Sequence, residues 1–104
     1  MLRISFEFRK GIFFIRLIGN LSNQNYLKKD EVLKNLIIKN KFQYVVINTN
    51  YLDKVDLDGL NYLIGIFQMT KQSTSNLVIC DKKSFFKRLL NNNIPSIKSE
   101  LEVL

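Results

Sequence analysis

The chain has 104 residues, 46% of them hydrophobic and 24% charged, with a formal net charge of +7, one cysteine and no histidine. That length and mixture describe one soluble globular domain spanning residues 1–104, able to bury roughly two thirds of its unfolded surface without a metal or a disulfide. They exclude an internal disulfide, histidine-based triads and the common zinc sites; Arg16 also interrupts the longest apolar run, residues 11–19, so neither a signal peptide nor a membrane span is expected and the protein is assigned to the cytoplasm.

Ile4, Phe6 and Phe8 alternate with Ser5, Glu7 and Arg9, and after Lys10-Gly11 a second β-rich run covers residues 12–18. Period and turn chemistry predict a hairpin. Beyond a polar loop at residues 20–25, Leu33, Leu36 and Ile37 recur at helical spacing. They predict a helix over residues 26–40 with Lys28, Lys29, Asp30 and Glu31 on its outer face and Asn40-Lys41 as its stop. Residues 42–48 are apolar and β-branched, as in a strand covered on both faces, and a polar turn follows. Leu60, Leu63, Ile64 and Phe67 then fall at i, i+3, i+4 and i+7, predicting a helix over residues 58–72. Residues 77–80 read as a short buried strand. Residues 84–91 read as a third helix with Phe85, Phe86, Leu89 and Leu90 inward, ended by Asn91-Asn92-Asn93 and Ile94-Pro95. The tail leaves a short edge strand or a helix open near residues 101–104. The order β-β-α-β-α-β-α implies an α/β sandwich, a mixed central sheet with helices joined by right-handed crossovers.

Residues that carry chemistry are few. Cys80, at the end of a buried strand, reads as a packed apolar residue rather than a nucleophile. Gly59 and Gly65 make no phosphate loop. Tyr26, Tyr44, Tyr51 and Tyr62 read as amphipathic surface or edge residues, with Tyr51 and Tyr62 flanking the polar turn. The sixteen basic residues are spread along the chain and describe a solvated surface; the one cluster, Lys82-Lys83 with Lys87-Arg88, has no accompanying RNA-type aromatic motif, so nucleic-acid binding is disfavoured. One of Asp56 and Asp58 is expected to cap the helix that follows. Cation binding by the pair lacks a third ligand, so no metal and no cofactor is expected, and no enzymatic activity.

The segment Val45-Val46-Ile47-Asn48 through Leu52, Val55-Asp56-Leu57-Asp58-Gly59-Leu60, together with Gly19-Asn20-Leu21-Ser22 after the second strand, resembles the signature of the STAS (sulphate transporter and anti-sigma antagonist) domains. In that family Asp-Ser-Ser/Thr-Gly occupies the turn and Gly-Glu-Leu-Asp the earlier loop. The resemblance runs over residues 4–94. It implies a STAS-like sandwich and a regulatory, non-catalytic module of the anti-sigma-factor antagonist type, which binds an anti-sigma factor of the serine kinase kind. In the family the kinase phosphorylates the first hydroxyl residue after the Asp and so ends the complex. The matching position here is Leu57, which has no hydroxyl; Asp58 replaces the second hydroxyl residue, and Ser22 stands where the family's loop Asp would be.

The resemblance therefore directs the partner-binding expectation to Ser22, Asn23, Asp56, Leu57, Asp58, Asn61 and Tyr62. Leu57 is either an exposed apolar contact, the favoured reading, or a core residue. Asp58 sets a permanent charge near the phosphosite-equivalent position, a poor imitation of a phosphate because it is displaced by one residue and singly charged. The alternative is a scaffold or self-assembling STAS subunit that has lost the switch, with other STAS-type regulators or a second copy in a homodimer as partners. A third class, a nucleotide- or nucleic-acid-binding module, would be signalled by saturable, salt-sensitive binding.

Overall fold

A computed structural model describes residues 1–74, 76–86 and 94–104. The first two strands, β1 (Leu2–Arg9) and β2 (Ile12–Leu21), pair antiparallel from Leu2↔Gly19 to Arg9↔Ile12. Lys10 and Gly11 join them, both at positive φ (53° and 79°). That is the two-residue turn whose twist matches a right-twisted hairpin. β3 (Tyr44–Val55) lies parallel to β2, β4 (Asn76–Cys80) parallel to β3, and β5 (Ser96–Ile97) parallel to β4. The sheet is therefore mixed and five-stranded, in the order β1-β2-β3-β4-β5. Parallel neighbours need crossovers, and α1 (Asp30–Asn40) supplies the one from β2 to β3 and α2 (Leu57–Ser73) the one from β3 to β4. The α/β sandwich expected from the order of elements is the fold observed.

Strand alternation sends two sets of side chains to opposite faces. Phe13, Ile15, Leu17, Val45, Ile47, Leu77 and Ile79 meet Leu33, Ile37, Leu63, Ile66 and Phe67 of the two helices in the main core. Ile12, Phe14, Val46, Val78 and Cys80 face the other way and pack with Ile97 and Val103 of the C-terminal segment. That segment ends in a 3-10 turn over Glu100–Val103, closed by a capping box between Ser99 and Glu102. Arg16 fastens it: its Nε donates to Glu100 Oε2 at 2.8 Å, and its Nη2 donates to Glu100 Oε1 at 2.7 Å and to Glu7 Oε1 at 2.8 Å. Asn48 Nδ2 adds a 2.7 Å bond to Glu100 Oε2. The tail left open in the sequence is thus a short strand and a 3-10 turn covering the second face.

Cys80 is fully buried beneath this cover, as its strand position suggested. Burial, reinforced by Glu100, Glu102 and Asp81, pushes its thiol up to about 11. The neutral thiol contributes stability fully below the ordinary cysteine value of about 8.5 and loses it as pH rises toward the folded value. Native protein at pH 8 is therefore expected to resist iodoacetamide and to label only after denaturant is added. Labelling of the native protein at the rate of a free thiol would mean that the C-terminal cover detaches.

Four expectations change. The helix expected over residues 26–40 begins at Asp30, behind a 3-10 turn over Asn25–Lys28. Asn23 and Gln24 both adopt left-handed conformations (φ 54° and 57°), and the Asn25 side chain donates to Asn20 O, so the chain folds back before the helix can start. Asp30, expected on the outer face, is half-buried and accepts from Tyr62 Oη at 2.6 Å. β3 does not stop at residue 48 but runs polar to Val55. Its polar residues find partners far along the chain: Thr49 Oγ1 donates to Cys80 O at 2.9 Å and Asn50 Nδ2 to Lys98 O at 2.9 Å. Finally, residues 84–86 form a turn, with Ser84 at φ 56°. Phe86 is buried there, but Phe85 is 51% exposed rather than inward. The Asp81 carboxylate accepts from Phe86 N–H at 2.7 Å, which holds the chain in that turn. The remainder of the expected third helix, including Leu89 and Leu90, and the basic pair Lys87-Arg88 lie outside the described residues.

Candidate functional site

The junction between β3 and α2 is built around Asp56. Its backbone is extended (φ −83°, ψ 177°) and its N–H donates to Leu21 O at 3.1 Å, which ends the strand against the end of β2. Its carboxylate then serves two segments at once. Oδ1 accepts from Gly59 N–H at 2.8 Å, capping the helix, and Oδ2 accepts from Asn23 N–H at 2.8 Å in the loop after β2. Those two backbone donors, Gly59 first, hold the carboxyl below its ordinary value. Of the two candidate caps it is Asp56 that performs the task. Asp58 sits exposed in the first turn, where the helix dipole favours a negative charge.

Gly59 makes this close join possible. It is buried, and a Cβ built on it would collide with the carbonyl oxygen of Leu21 and lie 3.0 Å from Leu21 Cγ. The loop carrying Ser22 and Asn23 is braced from its other side, where Asn25 Oδ1 accepts from Ser22 N–H at 3.2 Å. Loop and helix start therefore form one surface patch, held by backbone hydrogen bonds to a single carboxylate.

The side chains directed at solvent from this patch are Asn23, Leu57, Asp58 and Asn61. Leu57 is 72% exposed, so it is no part of the core. Asn61 follows it by four residues and shares its helix face. Ser22 and Asp56 are half-buried. Tyr62 is committed inward: its ring stacks on Tyr26 with centroids 4.1 Å apart, and its hydroxyl donates to Asp30. Burial, then Asp30, pushes that hydroxyl well above its ordinary value. Tyr62 thus couples α2 to the start of α1. Sequence reasoning missed Gln24 and Leu27; both are exposed beside the loop, Leu27 by 62%. The expectation of a regular helix from residue 26 hid Leu27, while Gln24 lay in the polar loop, whose Asn-rich sequence only hinted at left-handed residues.

A family model of the STAS domain matches residues 3–94. The chain belongs to the STAS domain family. Among curated proteins this STAS domain is similar to an anti-sigma F factor antagonist of Paenibacillus polymyxa, 24% identical over 94 residues, which cover 86% of this chain and 77% of that protein. Among solved structures its fold is similar to the anti-sigma factor antagonist SpoIIAA in its unphosphorylated form, with a TM-score of 0.72 at 12% identity over 99% of this chain and 93% of that one. An anti-sigma factor antagonist from Mycobacterium paratuberculosis gives a TM-score of 0.73 at 11% identity, covering 98% and 90%. The STAS fold is thus shared at identities where only architecture is conserved. No helix among the described residues of this STAS domain is long and apolar enough to cross a membrane.

Proposed function

We propose that this STAS domain is a non-catalytic binding module that docks an anti-sigma factor through the patch formed by Asn23, Leu57, Asp58 and Asn61, and that it does so without the hydroxyl-based switch. The observation that carries the reading is the exposed Leu57 at the start of α2, beside a loop fastened to the same helix through Asp56. A large apolar side chain held on a rigid helix start costs little ordering entropy when a partner buries it. In a hydroxyl-bearing relative a phosphate here would put up to two negative charges into the interface. Leu57 accepts no phosphate, so the complex is governed by concentration and affinity rather than by phosphorylation.

Capture with the tagged protein from its native cytoplasm, read by mass spectrometry, tests the reading. Enrichment of an ATP-binding anti-sigma kinase, lost with Leu57→Asp, supports it. Enrichment of STAS-type proteins alone would instead favour a self-assembling subunit, a reading that the open edge of β1 also favours.

Incubation with that kinase and ATP is expected to leave residues 55–61 without phosphate. Leu57→Ser should change stability by no more than about 0.5 kcal/mol, as for an exposed substitution. It should also make the same peptide phosphorylatable and the complex sensitive to ATP. A stable phosphate on the unaltered turn would refute the loss of the switch. A marked fall in melting temperature with Leu57→Ser would refute the solvent-facing role given to Leu57.

A further inference from the structure

β1 is the outermost strand of the sheet and runs in unbroken register from Leu2 to Arg9, without a bulge or a proline. Natural edge strands are normally shortened, bulged or charged on both faces to prevent pairing. This one exposes Phe6 by 44% and Phe8 by 61%. Both are held in place by ring contacts, Phe6 on Phe13 at 6.2 Å and Phe8 on Phe42 at 5.7 Å between centroids.

The two-residue turn decides which backbone groups are free. In such a hairpin the residues flanking the turn, Arg9 and Ile12, form a hydrogen-bonded pair, so inward-pointing groups alternate through Arg9, Glu7, Ser5 and Arg3. The N–H and C=O groups of Leu2, Ile4, Phe6 and Phe8 point out of the sheet. No backbone hydrogen bond outside the strand ladders takes up those of Ile4, Phe6 or Phe8 among the described residues.

We propose that this edge is the contact surface for a second copy of the chain, paired antiparallel about a two-fold axis at Ser5. Only registers that set outward residue against outward residue form the ladder. Centring on Ile4 would overlap residues 2–6 alone and leave Phe8 uncovered and Arg3 opposite Ser5, centring on Phe6 would oppose Arg3 to Arg9 of the second copy, centring on Glu7 would oppose two carboxylates, and centring on Phe8 would leave only a short overlap before the turn. Centring on Ser5 pairs Arg3 with Glu7, Ile4 with Phe6 and Leu2 with Phe8, each twice by symmetry, and Ser5 with itself. Opposite charges then face each other on one side of the sheet while the exposed aromatics are covered on the other. The contact is self-complementary and closes on two copies, joining their sheets edge to edge. It gives the self-assembling reading a surface. The antagonist reading stands apart from it, because the edge shares no residue with the loop and helix patch.

Ser5→Cys tests the register directly. The two Ser5 residues would form a non-hydrogen-bonded pair with Cα atoms about 4.5 Å apart, within reach of a disulfide. Mild oxidation should convert Ser5→Cys to a covalent dimer, while Arg3→Cys, whose partner is Glu7, and the unaltered chain with its buried Cys80 stay monomeric on a non-reducing gel. Sedimentation of the unaltered chain across the micromolar range should show a dimer that is lost with Phe6→Ser and with Arg3→Glu. Both substitutions are at exposed side chains, and circular dichroism checks that each variant is folded. A chain that stays monomeric, equal crosslinking by Arg3→Cys, no crosslinking by Ser5→Cys, or a dimer indifferent to both substitutions would each overturn the proposal. Partner capture at the Leu57 patch is a separate readout, so failure of the dimer is distinguishable from failure of the antagonist reading.

Discussion

Gly59→Ala is expected to destabilise the protein by about 1 to 3 kcal/mol, the range for forcing an extra carbon into a filled space. A glycine inside a helix normally costs about 0.5 to 1 kcal/mol relative to alanine, so propensity alone predicts the opposite sign. The clash wins because the obstacle is the backbone carbonyl of Leu21, which cannot rotate away as a side chain could. That carbonyl also accepts from Asp56 N–H, so moving it would loosen both the end of β3 and the cap of α2. Gly65 supplies the control on the same helix. It is exposed and a Cβ there meets nothing within 4 Å, so Gly65→Ala should stabilise by about 0.5 to 1 kcal/mol. Thermal melts read both, each kcal/mol shifting the midpoint by roughly 4 to 8 °C in a domain of this size. If Gly59→Ala melts at or above the unaltered protein, the tight join between α2 and β2 is not what holds the patch together.

The elements legible in the sequence are those set by local period. The β1–β2 hairpin follows from the alternation around Lys10-Gly11, and α2 from the stripe Leu60, Leu63, Ile64 and Phe67, within a residue at either end. What escaped depends on partners far along the chain. The polar stretch of β3 reads as a turn until Thr49, Asn50 and Asn48 are seen bonded to Cys80, Lys98 and Glu100, from 31 to 52 residues away. The late start of α1 depends on left-handed Asn23 and Gln24, a conformation that asparagine tolerates but that its presence does not require.

The candidate site divides the same way. Capping by an Asp at the start of α2 was legible. Which Asp, and its second bond to a loop 33 residues earlier, was not, since Asn23 N–H comes within reach only when β2 and β3 pair. Tyr62 reads as surface from its position beside the turn, yet the approach of α1 to α2 turns it into a half-buried strut on Asp30.

The cover over the second sheet face rests on a pair equally distant in sequence, and Arg16→Met should expose that dependence. Methionine keeps most of the aliphatic contact of the arginine stem and removes only the guanidinium. Glu100, whose side chain is 15% exposed, would then keep Asn48 as its one donor among the described residues. Losing the partner of a fully buried ion costs about 3 to 5 kcal/mol, and since solvent reaches both members here the expected loss is about 2 kcal/mol. Glu100→Gln should cost less, because Arg16 retains Glu7. The acid limb separates charge from packing. Glu100 is held below the usual carboxylate range by its bond from Arg16, against the opposing effect of burial and with help from Asn48. A carboxylate depressed in the folded state contributes stability above its unfolded value of about 4.3 and loses it as pH falls through the folded value. The gap in stability between the unaltered protein and Arg16→Met should therefore be constant near neutrality and shrink below about pH 4. Urea titrations from pH 7 to pH 3 measure it, and a gap that stays unchanged at the acid end would assign the loss to the guanidinium's contact with Phe14, whose ring centroid lies 5.6 Å from Arg16 Cζ, rather than to the ion pair that anchors the tail.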